Sequence, residues 1–148
     1  MDKNTQKFIL FKLDTVCHAL SVDYVNRVIL AVEITPVTTQ SNEAILGVIN
    51  LQGQIVPVID IRTIFHLSPR VLTVNDQMII FKSASGELRA FVADEVVGVT
   101  AIDNDLLASD KEKTGTSNGE TTLANPEFGV LFIHNPESLM TSKEVSHG

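Results

Sequence analysis

The chain has 148 residues, of which 44% are hydrophobic and 20% are charged, a composition typical of one globular domain that excludes a largely disordered chain. A single cysteine, Cys17, excludes a disulfide framework and a cysteine-rich zinc site. The net charge is −7, and the whole acidic excess lies in residues 76–148, which disfavours binding to nucleic acids and anionic membranes.

In the first part of the chain, short β-type segments alternate with turn residues. Residues 8–13, 16–22 and 28–32 are rich in apolar and β-forming side chains, so we predict a strand for each. Between the second and third of these strands, Asp23 is expected to cap a single helical turn over residues 24–27.

The clearest secondary-structure pattern in the sequence predicts a β-hairpin over residues 47–61. Two apolar runs flank a polar turn that contains Gly53, which is the usual composition of a hairpin. Pro57 lies in the second run and has no backbone N–H to donate. Its strand is therefore expected to have a free edge or a bulge at that position.

A second hairpin is predicted from residues 77–81 and 88–93. The intervening turn contains Gly86, which can adopt a positive φ. Two further strands are predicted, over residues 96–102 and 128–133.

Two polar segments and a short helix complete the chain. Residues 109–122 contain no apolar side chain, so we expect a solvated, mobile loop that the fold does not need. Pro136 can start a short helix over residues 136–140, and residues 141–148 are expected to fray. With eight or more short strands and no long amphipathic helix, the sequence predicts an all-β barrel or sandwich.

No segment resembles a membrane helix or an export signal. A membrane helix needs ~20 apolar residues, and the apolar runs here are far shorter. The N-terminus lacks the basic and long apolar stretches of a signal peptide. We therefore expect a cytoplasmic protein.

The adjacent residues Cys17 and His18 do not predict a catalytic site. Cys17 and His18 are adjacent on a predicted strand, so their side chains point to opposite faces, and Cys17 is expected to be structural. His66, His134 and His147 share no spacing typical of metal ligands and read as separate structural or surface residues.

An acidic cluster in the second half does not predict a calcium site. Asp103, Asp105, Asp110 and Glu112 are close in sequence, but Ala108 stands where a calcium loop needs glycine. The cluster is expected to be a solvated face. Since no phosphate-binding or nucleophile motif occurs either, we expect no metal, no cofactor and no catalytic residue.

One motif resembles a known family. The hairpin segment reads Gly47-Val-Ile-Asn-Leu-Gln-Gly-Gln-Ile-Val-Pro-Val-Ile-Asp-Ile-Arg62, and it closely resembles the signature hairpin of the CheW-like family of chemotaxis coupling proteins. Weaker likenesses follow in family order over residues 8–13, 25–29, 92–99, 129–133 and 136–140.

The resemblance implies a fold and a domain organisation. The fold is all-β, with two intertwined five-stranded SH3-like β-barrels around a shared core and short helical turns. Residues 7–140 would form this domain, between an N-terminal tail of residues 1–6 and a C-terminal tail of residues 141–148.

The resemblance also implies a function and two binding surfaces. Family members are non-catalytic adaptors that join the cytoplasmic tips of chemoreceptors to the regulatory domain of a CheA-type histidine kinase, and they are recruited to membrane-associated receptor arrays without inserting into the membrane. Kinase binding would map to Leu46 and Gly47. Receptor binding would map to seven residues: Val25, Arg27, Val28, Gln52, Gly53, Val97 and Val99.

Two departures from the family pattern fall on the implied receptor surface. The family often has Glu where this chain has Arg27, and usually has Arg where this chain has Gln52. The acid has become a base and the base has become neutral. In the closing segment, Asn135 stands in the place of an Asp.

Other functions stay open at this point. The chain could be an accessory adaptor of a non-flagellar array, serving pilus or second-messenger control. It could instead be a small-ligand-binding β-barrel sensor, which predicts an apolar pocket of ~300 Å³ or more with convergent polar groups. A third alternative is a small enzyme that uses Cys17 or a distant Asp/His pair.

For Gly47, Gly53 and Pro57, a purely structural role in shaping a barrel corner competes with an interface role.

Overall fold

The computed structural model describes residues 4–38, 44–107, 121–125 and 129–140, and within these ranges the chain is built mainly of β-strands. The strands are β1 (Thr5–Leu13), β2 (Val16–Ser21), β3 (Val25–Leu30), β4 (Ile45–Leu51), β5 (Gln54–Ile59), β6 (Gln77–Lys82), β7 (Leu88–Ala93), β8 (Glu95–Asp103), β9 (Thr121–Asn125) and β10 (Gly129–His134). Helical segments are short: the 3₁₀ turn Val22–Tyr24, the helix α1 (Ile61–Ile64), residues 104–107 and the 3₁₀ helix Pro136–Leu139.

The strands form two five-stranded sheets. The first has the order β8-β1-β2-β10-β9 and the second the order β3-β6-β7-β5-β4. Neighbouring strands are antiparallel, except that β10 pairs with β2 and β5 pairs with β7 in parallel. The predicted all-β class is confirmed.

Three hydrophobic clusters show how the two sheets pack. One cluster lies within the first sheet, a second lies within the second sheet, and a third, which we call the shared core, takes residues from both. On β1, Phe8 and Leu10 enter the first-sheet cluster, whereas Ile9 and Phe11 enter the shared core. Because successive side chains alternate across a strand, a continuous apolar run is what a strand buried on both faces requires.

Aromatic side chains fill the centre of the shared core. Phe11, Phe81 and Phe91 are completely buried, with ring centroids 4.9 Å apart for Phe11 and Phe91 and 5.8 Å apart for Phe81 and Phe91. Burying each ring contributes roughly 1.5–3 kcal/mol. The contact between Phe11 and Phe91 joins the two five-stranded sheets around the shared core.

The tip of the β4–β5 hairpin is a tight two-residue turn. Gln52 and Gly53 both have positive φ, at 54° and 91°, which is the backbone of a type I′ turn. The side chain of Asn50 accepts a hydrogen bond from the backbone N–H of Gly53 at 2.8 Å and fixes the turn. The predicted hairpin and the predicted role of Gly53 in its turn are confirmed.

The structure corrects the expectation for Pro57. Strand β5 lies between β7 and β4, so it has no free edge. Pro57 pairs with Val48 in the ladder to β4, and the parallel ladder to β7 is reduced to Val58 opposite Ala90. A register shift lies in β4 at Leu46, close to this pair. The missing N–H of Pro57 therefore falls where the pairing of β5 is already sparse.

Two further boundaries differ from the predictions. The first helical turn begins at Val22, and Ser21 caps it by accepting a hydrogen bond from the N–H of Asp23. Arg27, expected in that turn, lies on β3. Thr121 and Thr122, expected in the polar loop, belong to β9.

Other predictions are confirmed or lie outside the described residues. The β6–β7 hairpin, the strand β8 and the short helix at Pro136 form as expected, with Gly86 at φ 92°. The polar loop from residue 109 to residue 120 and the C-terminal residues 141–148 lie outside the described part of the chain.

Candidate partner-binding surfaces

Arg27 and Gln52, the two residues that depart from the family pattern, contact each other. Arg27 extends from β3 and donates from Nη1 to Oε1 of Gln52 at 3.3 Å and from Nε to Oδ1 of Asn26 at 2.9 Å. Both Arg27 and Gln52 are exposed. β3 and β4 are the outer strands of the second sheet. The contact between Arg27 and Gln52 brings the two edges of this sheet together. The bridge between Thr35, in the segment after β3, and Val48 of β4 does the same. The result is an exposed positive charge held against a neutral amide.

Val25 and Val28 lie beside Arg27 but face the protein interior. Both are half-buried and pack against the shared core, which supports a structural role for them. Val96 of β8 packs against the same cluster. The shared core is therefore flanked by β3 from one sheet and by β8 from the other.

Val97 and Val99 differ in exposure. Val97 is half-buried and packs against the first-sheet cluster, whereas Val99 is 60% exposed on β8. β8 is the outer strand of the first sheet and Arg27 lies on the outer strand of the second. Of the residues predicted for receptor binding, Arg27 and Val99 are thus exposed on two edge strands and Gln52 and Gly53 are exposed in the hairpin turn. The remaining three valines pack against core clusters.

Gly47 is required by a close approach of the backbone. A Cβ at this position would lie 2.3 Å from the carbonyl oxygen of Thr35 and 2.8 Å from Cγ2 of Ile34. The backbone of Thr35 reaches this point because it exchanges hydrogen bonds with Val48, at 2.8 and 2.9 Å. The glycine therefore has a structural role, whatever its role in binding. Leu46 beside it is 38% exposed.

A charged cluster that the sequence analysis did not predict joins the two sheets. Arg62, at α1, contacts Asp14 at 2.7 Å and Asp94 at 3.2 Å, and its Nε donates to the carbonyl oxygen of Ser68 at 2.6 Å. Asp14 follows β1 of the first sheet, and Asp94 lies between β7 of the second sheet and β8 of the first. One guanidinium thus ties together turns from both sheets.

A buried histidine pair was also missed by the sequence analysis. Nδ1 of His18 lies 2.9 Å from Nε2 of His134, and both rings stack on Phe65. Burial lowers the pKa of His18 to about 4. The pair forms because β2 and β10 run side by side in parallel, with Phe132 opposite His18. His134 is therefore a partner of His18 and not the separate residue that its sequence position suggested.

Cys17 is a core residue, as predicted. It is 3% exposed and packs in the first-sheet cluster, on the face of β2 opposite to His18. Burial raises the pKa of its thiol, which opposes formation of a nucleophilic thiolate. The geometry gives no support to an enzyme based on Cys17.

The ligand-sensor alternative also finds no support in the cavity beside Leu46. This cavity has a volume of about 140 Å³ and is lined by residues that include Leu46, Leu67, Pro69, Leu72 and Val92. A typical small-molecule site starts at ~300 Å³.

The described residues show neither a cluster typical of a metal centre nor a membrane-spanning helix. They contain no group of three or more His, Cys, Asp or Glu side chains placed to hold a metal ion. Asp103 accepts a hydrogen bond from the N–H of Asp105 at 2.9 Å, and Asp110 and Glu112 lie outside the described residues. No helix in the described ranges is long and apolar enough to cross a membrane.

Comparisons with known proteins cover nearly the whole chain. The family model described as the CheW-like domain matches residues 7–144. Among solved structures, the chain is similar to the scaffolding protein TtCheW from Thermoanaerobacter tengcongensis, with 25% sequence identity and a TM-score of 0.71. That match covers 86% of this chain and 87% of the other. No curated protein matches the sequence.

Proposed function

The chain belongs to the CheW-like domain family, chemotaxis scaffolds that couple chemoreceptors to the histidine kinase CheA, and we propose that it couples them without catalysis. The observation that carries the proposal is the family match over residues 7–144, on a fold of two five-stranded sheets with a shared core. In this proposal the protein binds the regulatory domain of the kinase and the cytoplasmic tip of a receptor, and it is recruited to receptor arrays at the membrane. Residues 7–140 form the binding domain.

The receptor surface that we propose centres on Arg27 and Gln52. Their side chains are exposed and touch each other. Gln52 lies at the tip of the hairpin that resembles the family signature, and Arg27 reaches it from β3. Val99, 60% exposed on the outer strand of the first sheet, supplies an apolar contact. Val25, Val28 and Val97 act indirectly, by packing the clusters that support this surface.

The charge of Arg27 sets the chemistry of the receptor that fits. In the family pattern the two positions offer one acidic and one basic group, whereas here they offer a guanidinium and an amide. A like-charge mismatch at an interface costs up to several kcal/mol. The receptor is therefore expected to present an acidic group to Arg27, and to exchange poorly with receptors that fit a standard coupling protein.

The kinase surface that we propose lies at Leu46 and Gly47. Leu46 is the extra residue at the register shift of β4, which leaves its side chain partly exposed. Gly47 supports this surface by allowing the backbone of Thr35 to pack against β4.

A double substitution tests the receptor surface. Arg27→Glu with Gln52→Arg restores the charge pattern of the family, so it should weaken binding to the native receptor tip and strengthen binding to the tip of a standard receptor. Isothermal titration calorimetry with both receptor fragments measures the two affinities. Lys7→Gln is the matched control, because it lowers the net charge by one, as the double substitution does, at an exposed position of β1. If neither affinity changes by more than ~0.5 kcal/mol, these residues are not at the interface.

A further inference from the structure

An unusually exposed apolar segment follows α1. Residues 71–74, which we call the valine loop, contain Val71 at 84% exposure and Val74 at 82%, and Leu72 at 39%. Single exposed apolar residues are ordinary on protein surfaces, but a contiguous group of them marks an interaction site.

The valine loop is held in place by a buried carboxylate. Asp76 is 3% exposed and receives two hydrogen bonds from the guanidinium of Arg70, at 2.8 and 3.2 Å. It also accepts from the backbone N–H of Thr73 at 2.7 Å, and its own N–H donates to the carbonyl oxygen of Thr73 at 3.1 Å. The carbonyl oxygen of Asp76 accepts from the N–H of Ala31. The valines are thus presented on a fixed backbone, so a partner loses little binding energy in ordering it.

The valine loop is continuous with the proposed kinase surface. Leu72 lines the same cavity as Leu46, and Leu67, Pro69 and Arg70 line it as well. Arg70 reaches Asp94 at 3.5 Å and so connects the loop to the charged cluster around Arg62. The valine loop is therefore joined to Leu46 through Leu72, and the exposed valines flank this residue in the chain.

We propose that the valine loop is an apolar anchor that inserts into an apolar cleft on the regulatory domain of the partner kinase, next to the contact made by Leu46. This inference rests on the proposed function and adds to it a second contact of stated chemistry. A second copy of this chain is a poorer occupant, because two molecules of net charge −7 repel each other. Apolar anchors that fill a partner's pocket carry much of the energy of an interface.

The test uses the full chain and the regulatory domain of the kinase from the same organism, in isothermal titration calorimetry. The variant Val71→Ser with Val74→Ser removes the apolar side chains from exposed positions and should leave the melting temperature unchanged. It is expected to weaken kinase binding by about tenfold or more. The matched control is Val130→Ser, which changes a 48% exposed valine on β10 and should leave the affinity unchanged.

The possible results separate the anchor from the proposed function. If the original chain binds the kinase domain and the double variant binds equally well, the anchor is wrong and the scaffold function stands. If the original chain does not bind the kinase domain, both are wrong. If light scattering shows a dimer that the double variant abolishes while kinase binding is unchanged, the loop contacts a second copy and the anchor is again overturned.

Discussion

Acid should destabilise this protein through the buried pair of His18 and His134. His18 is 7% exposed, bonded to His134 at 2.9 Å and stacked against Phe65, so its neutral form fits the site and its charged form loses solvation. The pKa of His18 is lowered to about 4 in the folded protein, from 6.5. Between these two values the unfolded chain binds a proton that the folded chain does not, so stability falls as the pH falls.

The size of this effect follows from the two pKa values. One pKa unit corresponds to about 1.36 kcal/mol, so His18 can cost at most about 3 kcal/mol once the pH is well below 4. Between pH 7.5 and pH 5 the expected loss from this residue is about 2 kcal/mol. Hydrogen bonds from Arg70 keep the pKa of Asp76 below its usual value, so that carboxylate stays ionised at pH 5 and does not add to the loss.

Urea denaturation of the original chain and of His18→Gln, at pH 7.5 and at pH 5, measures the effect. The substitution removes the titrating ring and the stacking on Phe65, so it lowers stability at pH 7.5. The difference in free energy of unfolding between the two pH values should nevertheless be about 2 kcal/mol smaller in the variant. An equal pH dependence in the two proteins would refute the reasoning, since His18 would then titrate alike in the folded and unfolded states.

Four further outcomes follow from the packing. Gly47→Ala should lower the free energy of unfolding by about 1–3 kcal/mol, because the added Cβ meets the backbone of Thr35. Urea denaturation measures this loss, and an unchanged free energy would mean that residues 31–38 can move away freely. Arg62→Gln should cost about 2 kcal/mol in the same assay through its lost contacts with Asp14 and Asp94, and Arg62→Lys should recover part of it; equal losses would show that charge plays no part. Cys17→Ala should leave kinase and receptor affinities unchanged in calorimetry, since the thiol is buried in the first-sheet cluster; lost binding at an unchanged melting temperature would contradict this. Deletion of residues 111–119 should leave the circular dichroism spectrum unchanged, because the segment has no apolar side chain to bury and loop length changes stability by only ~0.6 kcal/mol per halving; an unfolded variant would show that the segment is packed.

Apart from β9, the strands were predictable because each carries its own local signal. The first two residues of β9 are polar threonines and were assigned to the loop. The run from Phe8 to Phe11 is apolar at every position, and the structure explains this by burying both faces of β1 in different clusters. Gly53 marked the hairpin tip and Gly86 marked the second turn, since both need a positive φ. The helical turn was misplaced because Ser21 and Asp23 are both good caps, and the side chain of Ser21 is the one that accepts the bond.

The site features that were missed depend on contacts between distant parts of the chain. His18 and His134 are 116 positions apart and meet only because β2 and β10 pair in parallel, which periodicity does not reveal. Arg62 meets Asp14 across the boundary between the two sheets. By contrast, the polar character of Arg27 and Gln52 and the turn at Gln52 are local features, and both residues are exposed. Arg27 was expected at the end of a helical turn, but it is exposed on the edge strand β3.

The scaffold function is tested most directly by asking whether this protein carries the kinase to the receptor. Membrane vesicles bearing the native chemoreceptor are mixed with the CheA-type kinase of the same organism, with and without the chain, and sedimented. The account predicts that the kinase sediments to a much greater extent when the chain is present, and that Arg27→Glu reduces this recruitment. Equal amounts of sedimented kinase with and without the chain would contradict the account.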